Sequence, residues 1–141
     1  MQLFPWNEDY EIGITEIDKQ HRHLVGIINQ LSDAMIEQKG DEAVPQILKK
    51  LVDYIQLHFS TEEEFMHRGN YPALDTHSQE HHDMTREVLE FRKNYSRNHQ
   101  VSPSELLGFL CEWLKNHILM SDKELGRFLK NPPTAWNKSS V

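Results

Sequence analysis

Four stretches of this sequence place apolar residues three and four positions apart, and no strand-like alternation competes with that period. An α-helix advances about 100° per residue, so this spacing gathers the apolar side chains on one face. The first stretch covers about 16–39, with Ile17, Leu24, Ile27, Ile28, Leu31 and Met35. The second covers about 41–67, with Val44, Ile47, Leu48, Leu51, Ile55, Phe59 and Phe65. The third, about 72–95, carries Met84, Val88, Leu89 and Phe91 and is the most polar. The fourth, about 103–125, carries Leu106, Leu107, Phe109, Leu110, Trp113, Leu114 and Ile118. Gly40 is read as the stop of the first helix and Asp41 as the N-cap of the second. Ser102, Pro103 and Glu105 form a capping-box start for the fourth, which should end near Gly126, with room for one more turn over "RFLK" before Pro132 and Pro133 bar continuation. Four long amphipathic helices with short connections make antiparallel neighbours. The expectation is an all-α, up-down-up-down four-helix bundle in a single domain of 141 residues. The first fifteen or so residues, with Phe4, Trp6, Tyr10, Ile12 and Ile14, are too apolar for a loose tail and are expected to pack on the bundle as a non-helical arm.

Composition removes several classes of function. The net charge of -7 argues against a nucleic-acid or anionic-membrane partner. Cys111 is the only cysteine, so no disulfide forms within the chain, and a free thiol fits a reducing compartment. With no signal-peptide pattern and no apolar run of spanning length, a soluble cytoplasmic protein without membrane insertion is expected.

Nine histidines are many for a chain of this length. Residues four apart lie about 40° apart on a helix, close enough to grip one ion or two adjacent ones. His58 and Glu62 have that spacing, as do His77 and His81. His117 and Asp122 are five apart, which would require a π-type bulge or a bend, a distortion often found at functional sites. His21 stands among Ile17, Leu24, Val25 and Ile28; His58 lies on the side of Leu51, Ile55 and Phe59; His117 follows Trp113 and Leu114. One such histidine is most often a satisfied core residue. One on every helix, with carboxylates at ligand spacing, is not, because so many buried polar groups would lack partners. Five histidines and two carboxylates exceed a tetrahedral zinc site and suit two octahedral ions sharing bridging carboxylates. Imidazole and carboxylate without thiolate suits iron, and Cys111 projects away from His117. His23, His67, His82 and His99 fall off these faces or in a loop and are assigned to the surface. Glu63 is read as a partner behind the ligands and Gln20 as a donor there, Glu80 as a solvent-side acid, and Tyr10, Tyr54 and Tyr71 as structural.

Four pieces, "IDKQH" ending at His21, "HFSTEE" from His58, "HSQEH" from His77 and "WLKNHILMSD" from Trp113, occur in order, one per helix. In this the chain resembles the hemerythrin family, its bacterial single-domain members most closely. The resemblance covers nearly the whole sequence. It implies that His77, His81 and His117 bind one iron and His21 and His58 the other. Glu62 and Asp122 would bridge the two irons, with an oxo or hydroxo group as third bridge. The two-histidine iron is then one ligand short of six, and dioxygen would bind there. By position, Leu24, Phe59, Trp113 and Ile118 are the candidates for the apolar dioxygen pocket, with plain core packing as the alternative for each.

The function implied is reversible dioxygen binding at a non-heme di-iron centre, for carriage, storage or delivery. An electron donor or an oxygen-consuming protein would be the partner. Oxygen, redox or nitric oxide sensing is a second reading, although the chain ends soon after the fourth helix and no attached output module is expected. Reduction of peroxide, nitric oxide or dioxygen by the same centre is a third. The polar third helix shows no obvious interface, so a monomer is expected.

Overall fold

The structure is a computed structural model describing residues 8–98 and 101–131. Phe4, Trp6, His99, Pro132 and Pro133 lie outside the described residues. The architecture is an all-α four-helix bundle. A 3-10 turn, Glu8–Tyr10, precedes α1 (Thr15–Ile36), α2 (Gly40–Arg68) and α3 (Leu74–Asn98). The fourth rod is built in three parts: α4 (Pro103–Trp113), a π-helical segment Leu114–Asp122, and α5 (Lys123–Lys130). The backbone stays helical at both junctions, so the three parts run on without a break. α1 packs against α2 and α4, and α2 against α3.

The apolar stripes meet as the sequence pattern requires. Leu24, Ile28, Leu31, Leu48, Leu51, Met84, Val88, Leu106, Leu110 and Leu114 form one large buried cluster. Leu89, assigned to the stripe of α3, instead points outward and is 45% exposed. A second, smaller cluster of Met66, Tyr71 and Leu125 closes the opposite end, with Leu74, Phe128 and Leu129 against it. Between the two apolar blocks lies a layer of buried histidine and carboxylate.

Both turns after α1 and α2 end in left-handed residues that are not glycine. Gln38 has φ 62° and Asn70 φ 51°. Lys39 N–H bonds Ala34 C=O at 2.7 Å and Tyr71 N–H bonds Met66 C=O at 2.9 Å, the six-to-one closure of a Schellman ending. Gly40, expected as the stop of α1, is therefore the first residue of α2, and Asp41 lies within its first turn rather than capping it. A β-carbon on Gly40 would sit 3.1 Å from Pro103, so this glycine serves a close approach to the start of α4. Ser102 caps α4 as expected, its hydroxyl accepting from Glu105 N–H at 3.2 Å.

The arm is anchored by a residue the apolar pattern does not reveal. Asp18, 7% exposed, accepts N–H bonds from Ile12 at 2.8 Å and Gly13 at 3.2 Å. Ile12 is thereby buried, as expected of the arm, which is not wholly non-helical because of its 3-10 turn. The fourth helix runs past Gly126 through the extra turn Arg127–Lys130 that the sequence allows. A β-carbon on Gly126 would fall 2.5 Å from Ile12 C=O, so the glycine lets the arm lie directly on α5.

Candidate metal centre

Every helix delivers at least one polar side chain to the buried layer. α1 supplies His21, α2 His58 and Glu62, α3 His77 and His81, and the π segment His117 and Asp122; none is more than 2% exposed. Their atoms form two interlocking groups, each within 4.8 Å internally. Glu62, His77, His81, His117 and Asp122 make one, and His21, His58, Glu62 and Asp122 the other. Glu62 and Asp122 belong to both.

The five-residue spacing of His117 and Asp122 is accommodated as their chemistry demands. The whole segment Leu114–Asp122 is π-helical, and i→i+5 bonding brings both side chains to one face. His117 Nε2 lies 3.0 Å from Asp122 Oδ1.

The five imidazoles share an orientation, with Nε2 toward the shared carboxylates. His77 and His81 Nε2 are each 2.9 Å from Glu62 Oε1, His58 Nε2 is 3.2 Å from Glu62 Oε2, and His21 Nε2 is 2.8 Å from Asp122 Oδ2. Three of the rings turn Nδ1 outward to an acceptor. His58 Nδ1 donates to Gln20 Oε1 at 2.7 Å, His81 Nδ1 to Glu63 Oε2 at 3.2 Å, and His117 Nδ1 to Glu80 Oε1 at 2.8 Å. An Nδ1 that donates outward leaves the Nε2 lone pair facing inward, the tautomer a metal ligand needs. Further bonds hold these acceptors: Gln20 Nε2 donates to Thr61 Oγ1 at 3.0 Å, and Ser121 Oγ donates to Glu80 at 2.8 Å.

Glu80 is thus not the solvent-side acid expected from sequence. It is half-buried and reaches from α3 across to His117 and Ser121. Glu63 stands behind a cluster histidine as expected; Gln20 does so too, but as an acceptor toward His58 rather than the donor expected, because the buried His58 Nε2 faces the carboxylates and its Nδ1–H points outward. His23, His67 and His82 are exposed. Cys111 is half-buried and in neither group, and burial pushes its thiol up against the opposing charge of Lys115.

The electrostatics are those of a compressed donor set. Burial disfavours the His21 and His77 cations, but the closely facing Asp122 and Glu62 carboxylates outweigh it and push both up to about 9. At His58 burial wins over the Glu62 carboxylate and the imidazole is lowered. His21 and His58 face each other Nε2 to Nε2 at 3.2 Å, so protonation of one opposes protonation of the other. Burial would raise Glu62, yet the His58 charge and the close approach of the His117, His21 and His58 imidazoles hold it well below the carboxylate range.

The residues fit a pair of metal ions better than they fit one another. Glu62 Oε2, His117 Nε2 and both oxygens of Asp122 are buried without an aligned hydrogen-bond partner, despite their close approaches. Lone pairs converge on shared points between the side chains, as ligand atoms around cations do.

Aromatic rings surround the cluster. Phe59, 6% exposed, stacks on His81 at 3.9 Å and 5°, and half-buried Trp113 on His117 at 4.4 Å and 19°. Leu24 and Ile118 are fully buried in the large apolar cluster. On the other group, buried Tyr54 stacks on His58 at 5.0 Å and 16°. Burial, then the charges of Glu62 and Asp122, push the Tyr54 phenol well above its ordinary range. No helix among the described residues is long and apolar enough to cross a membrane.

Comparison with known proteins agrees with this geometry. Residues 12–129 match the model of the hemerythrin HHE cation binding domain. A bacteriohemerythrin of Stenotrophomonas maltophilia is 35% identical, over 87% of this chain and 79% of its own length. Another, of Clostridium acetobutylicum, is 33% identical over 86% of this chain and 98% of its own length. A myohemerythrin of Theromyzon tessulatum is 31% identical over 84% of this chain and 87% of its own. The solved structure of a leucine-to-tyrosine hemerythrin variant superposes with a TM-score of 0.82 at 25% identity, covering 92% of this chain and 98% of that one. With its family model matched over most of its length and relatives above 30% identity, this chain belongs to the hemerythrin family.

Proposed function

We propose that the chain binds dioxygen reversibly at a non-heme di-iron centre and serves oxygen carriage, storage or delivery. The observation that carries this reading is the pair of interlocking donor groups with Glu62 and Asp122 common to both. In the proposed assignment His77, His81 and His117 would hold one iron and His21 and His58 the other, with Glu62 and Asp122 shared between them. When bound, such a pair would supply the two electrons that dioxygen binding requires, with the external ligand on the two-histidine side.

The chain's own residues do the rest. Five neutral imidazoles with only two carboxylates favour the ferrous state and temper reactivity toward the O–O bond. Leu24, Phe59, Trp113 and Ile118 are proposed as the apolar surround that excludes water and slows irreversible oxidation. The resemblance to myohemerythrin and to bacterial relatives supports binding over turnover.

The test is an absorption spectrum of the reduced, iron-loaded protein before and after exposure to air. A visible charge-transfer band that appears with air and disappears on degassing is expected, at two irons per chain. Sustained turnover of dioxygen or peroxide with a reductant, without a long-lived oxygenated form, would replace the carrier by an enzyme. Failure to bind two irons would remove the reading altogether.

A further inference from the structure

Outside the seven clustered donors, the Tyr54 hydroxyl is the only buried side-chain polar atom among the described residues that has no hydrogen-bond partner. Its ring is 4% exposed and lies one helical turn before His58, stacked on it at 5.0 Å. The exposed His23 ring lies on Tyr54 at 6.2 Å, and the two imidazoles hold the phenol in place. A buried hydroxyl without a partner is destabilising, and phenylalanine would fill the same space without that penalty. The other polar groups behind the cluster are already engaged: Gln20 with His58 and Thr61, Glu63 with His81, Glu80 with His117 and Ser121. Tyr54 stacks on a histidine of the group with two imidazoles rather than three, the side on which the di-iron reading places an external ligand. A phenol keeps its proton at neutral pH and so has a donor to give.

We propose that the Tyr54 hydroxyl donates a hydrogen bond to a small ligand with an anionic acceptor atom bound at the two-histidine ion. This rests on the di-iron reading above and adds a positioning residue to it. The bond would slow ligand release and orient the acceptor atom toward α2.

The experiment compares wild type with Tyr54→Phe, each loaded with iron, oxidised and titrated with azide while the charge-transfer absorption is followed. Two irons per chain are expected in both, with azide Kd raised about ten-fold or more in the variant. Metal-free Tyr54→Phe should melt at the same temperature or higher, because an unpaired hydroxyl has been removed. Tyr54→Leu, which also loses the stack, should weaken azide at least as much. Azide affinity within two-fold of wild type in Tyr54→Phe, with a loss confined to Tyr54→Leu, would make Tyr54 a packing residue and overturn the proposal. A wild-type protein that fails to take up two irons would instead overturn the di-iron reading itself.

Discussion

The two halves of the cluster look inward on the same carboxylates but are backed differently. Behind the three-histidine half stand acids: Glu63 accepts from His81 and Glu80 from His117. Behind the two-histidine half stands a neutral amide, Gln20, accepting from His58, while His21 Nδ1 is buried without a partner. A carboxylate acceptor makes an imidazole a more basic ligand; an amide does less. The three-histidine half should therefore hold its ion more firmly and stabilise positive charge on it better. In the proposed di-iron reading the two-histidine half would be the weaker grip and the side that yields to external ligands.

The comparison can be broken or sharpened at several positions. Glu62→Ala removes an oxygen donor from both halves and should have the largest effect, reducing bound iron from two per chain to below one by direct metal analysis. His58→Ala should lose the two-histidine ion and retain about one iron per chain; loss of the other ion first would reverse the assignment. Glu80→Gln replaces the acid behind His117 by an amide and should make the two halves more alike. It is expected to weaken iron in the three-histidine half by about 10- to 100-fold, read by competition with a chelator. Ser121→Ala removes only the hydroxyl that holds Glu80, a neutral-to-charged hydrogen bond at a half-buried site. Its effect should be the smallest, a several-fold weakening in the same assay. If Ser121→Ala matched Glu80→Gln, the position of the acid rather than its charge would set the difference between the halves.

The inward-facing donors were legible in sequence because helical geometry acts within one element. His58 with Glu62 and His77 with His81 follow from their spacing, and even the π distortion follows from requiring His117 and Asp122 on one face. Glu80 was missed because its partner is on another helix. Three residues after His77 it lies at the edge of the buried face, and only its reach across to the π segment makes it part of the site. That edge position beside a ligand pair was the available signal. Asp18 was missed for a related reason: its partners are backbone N–H groups of the arm, which no side-chain pattern encodes. The end of α1 was harder still. Gln38 takes the left-handed conformation that glycine adopts most easily, so the expected punctuation at Gly40 fell two residues late.

The π segment also solves a problem of phase. Leu106, Leu110, Leu114, Ile118, Asp122 and Gly126 are all buried, and each follows the last by four residues. Along a regular α-helix each such step overshoots a full turn by about 40°, so five steps would carry the row about 200° around the rod. Its far end would then face solvent. The wider turn between Leu114 and Asp122 rotates the row back. One rod can thus line the large apolar block, the polar layer and the small apolar cap with a single face. An unbroken four-residue repeat of inward positions, sustained too long for an α-helix to keep in register, is therefore itself a sequence mark of an unwound segment.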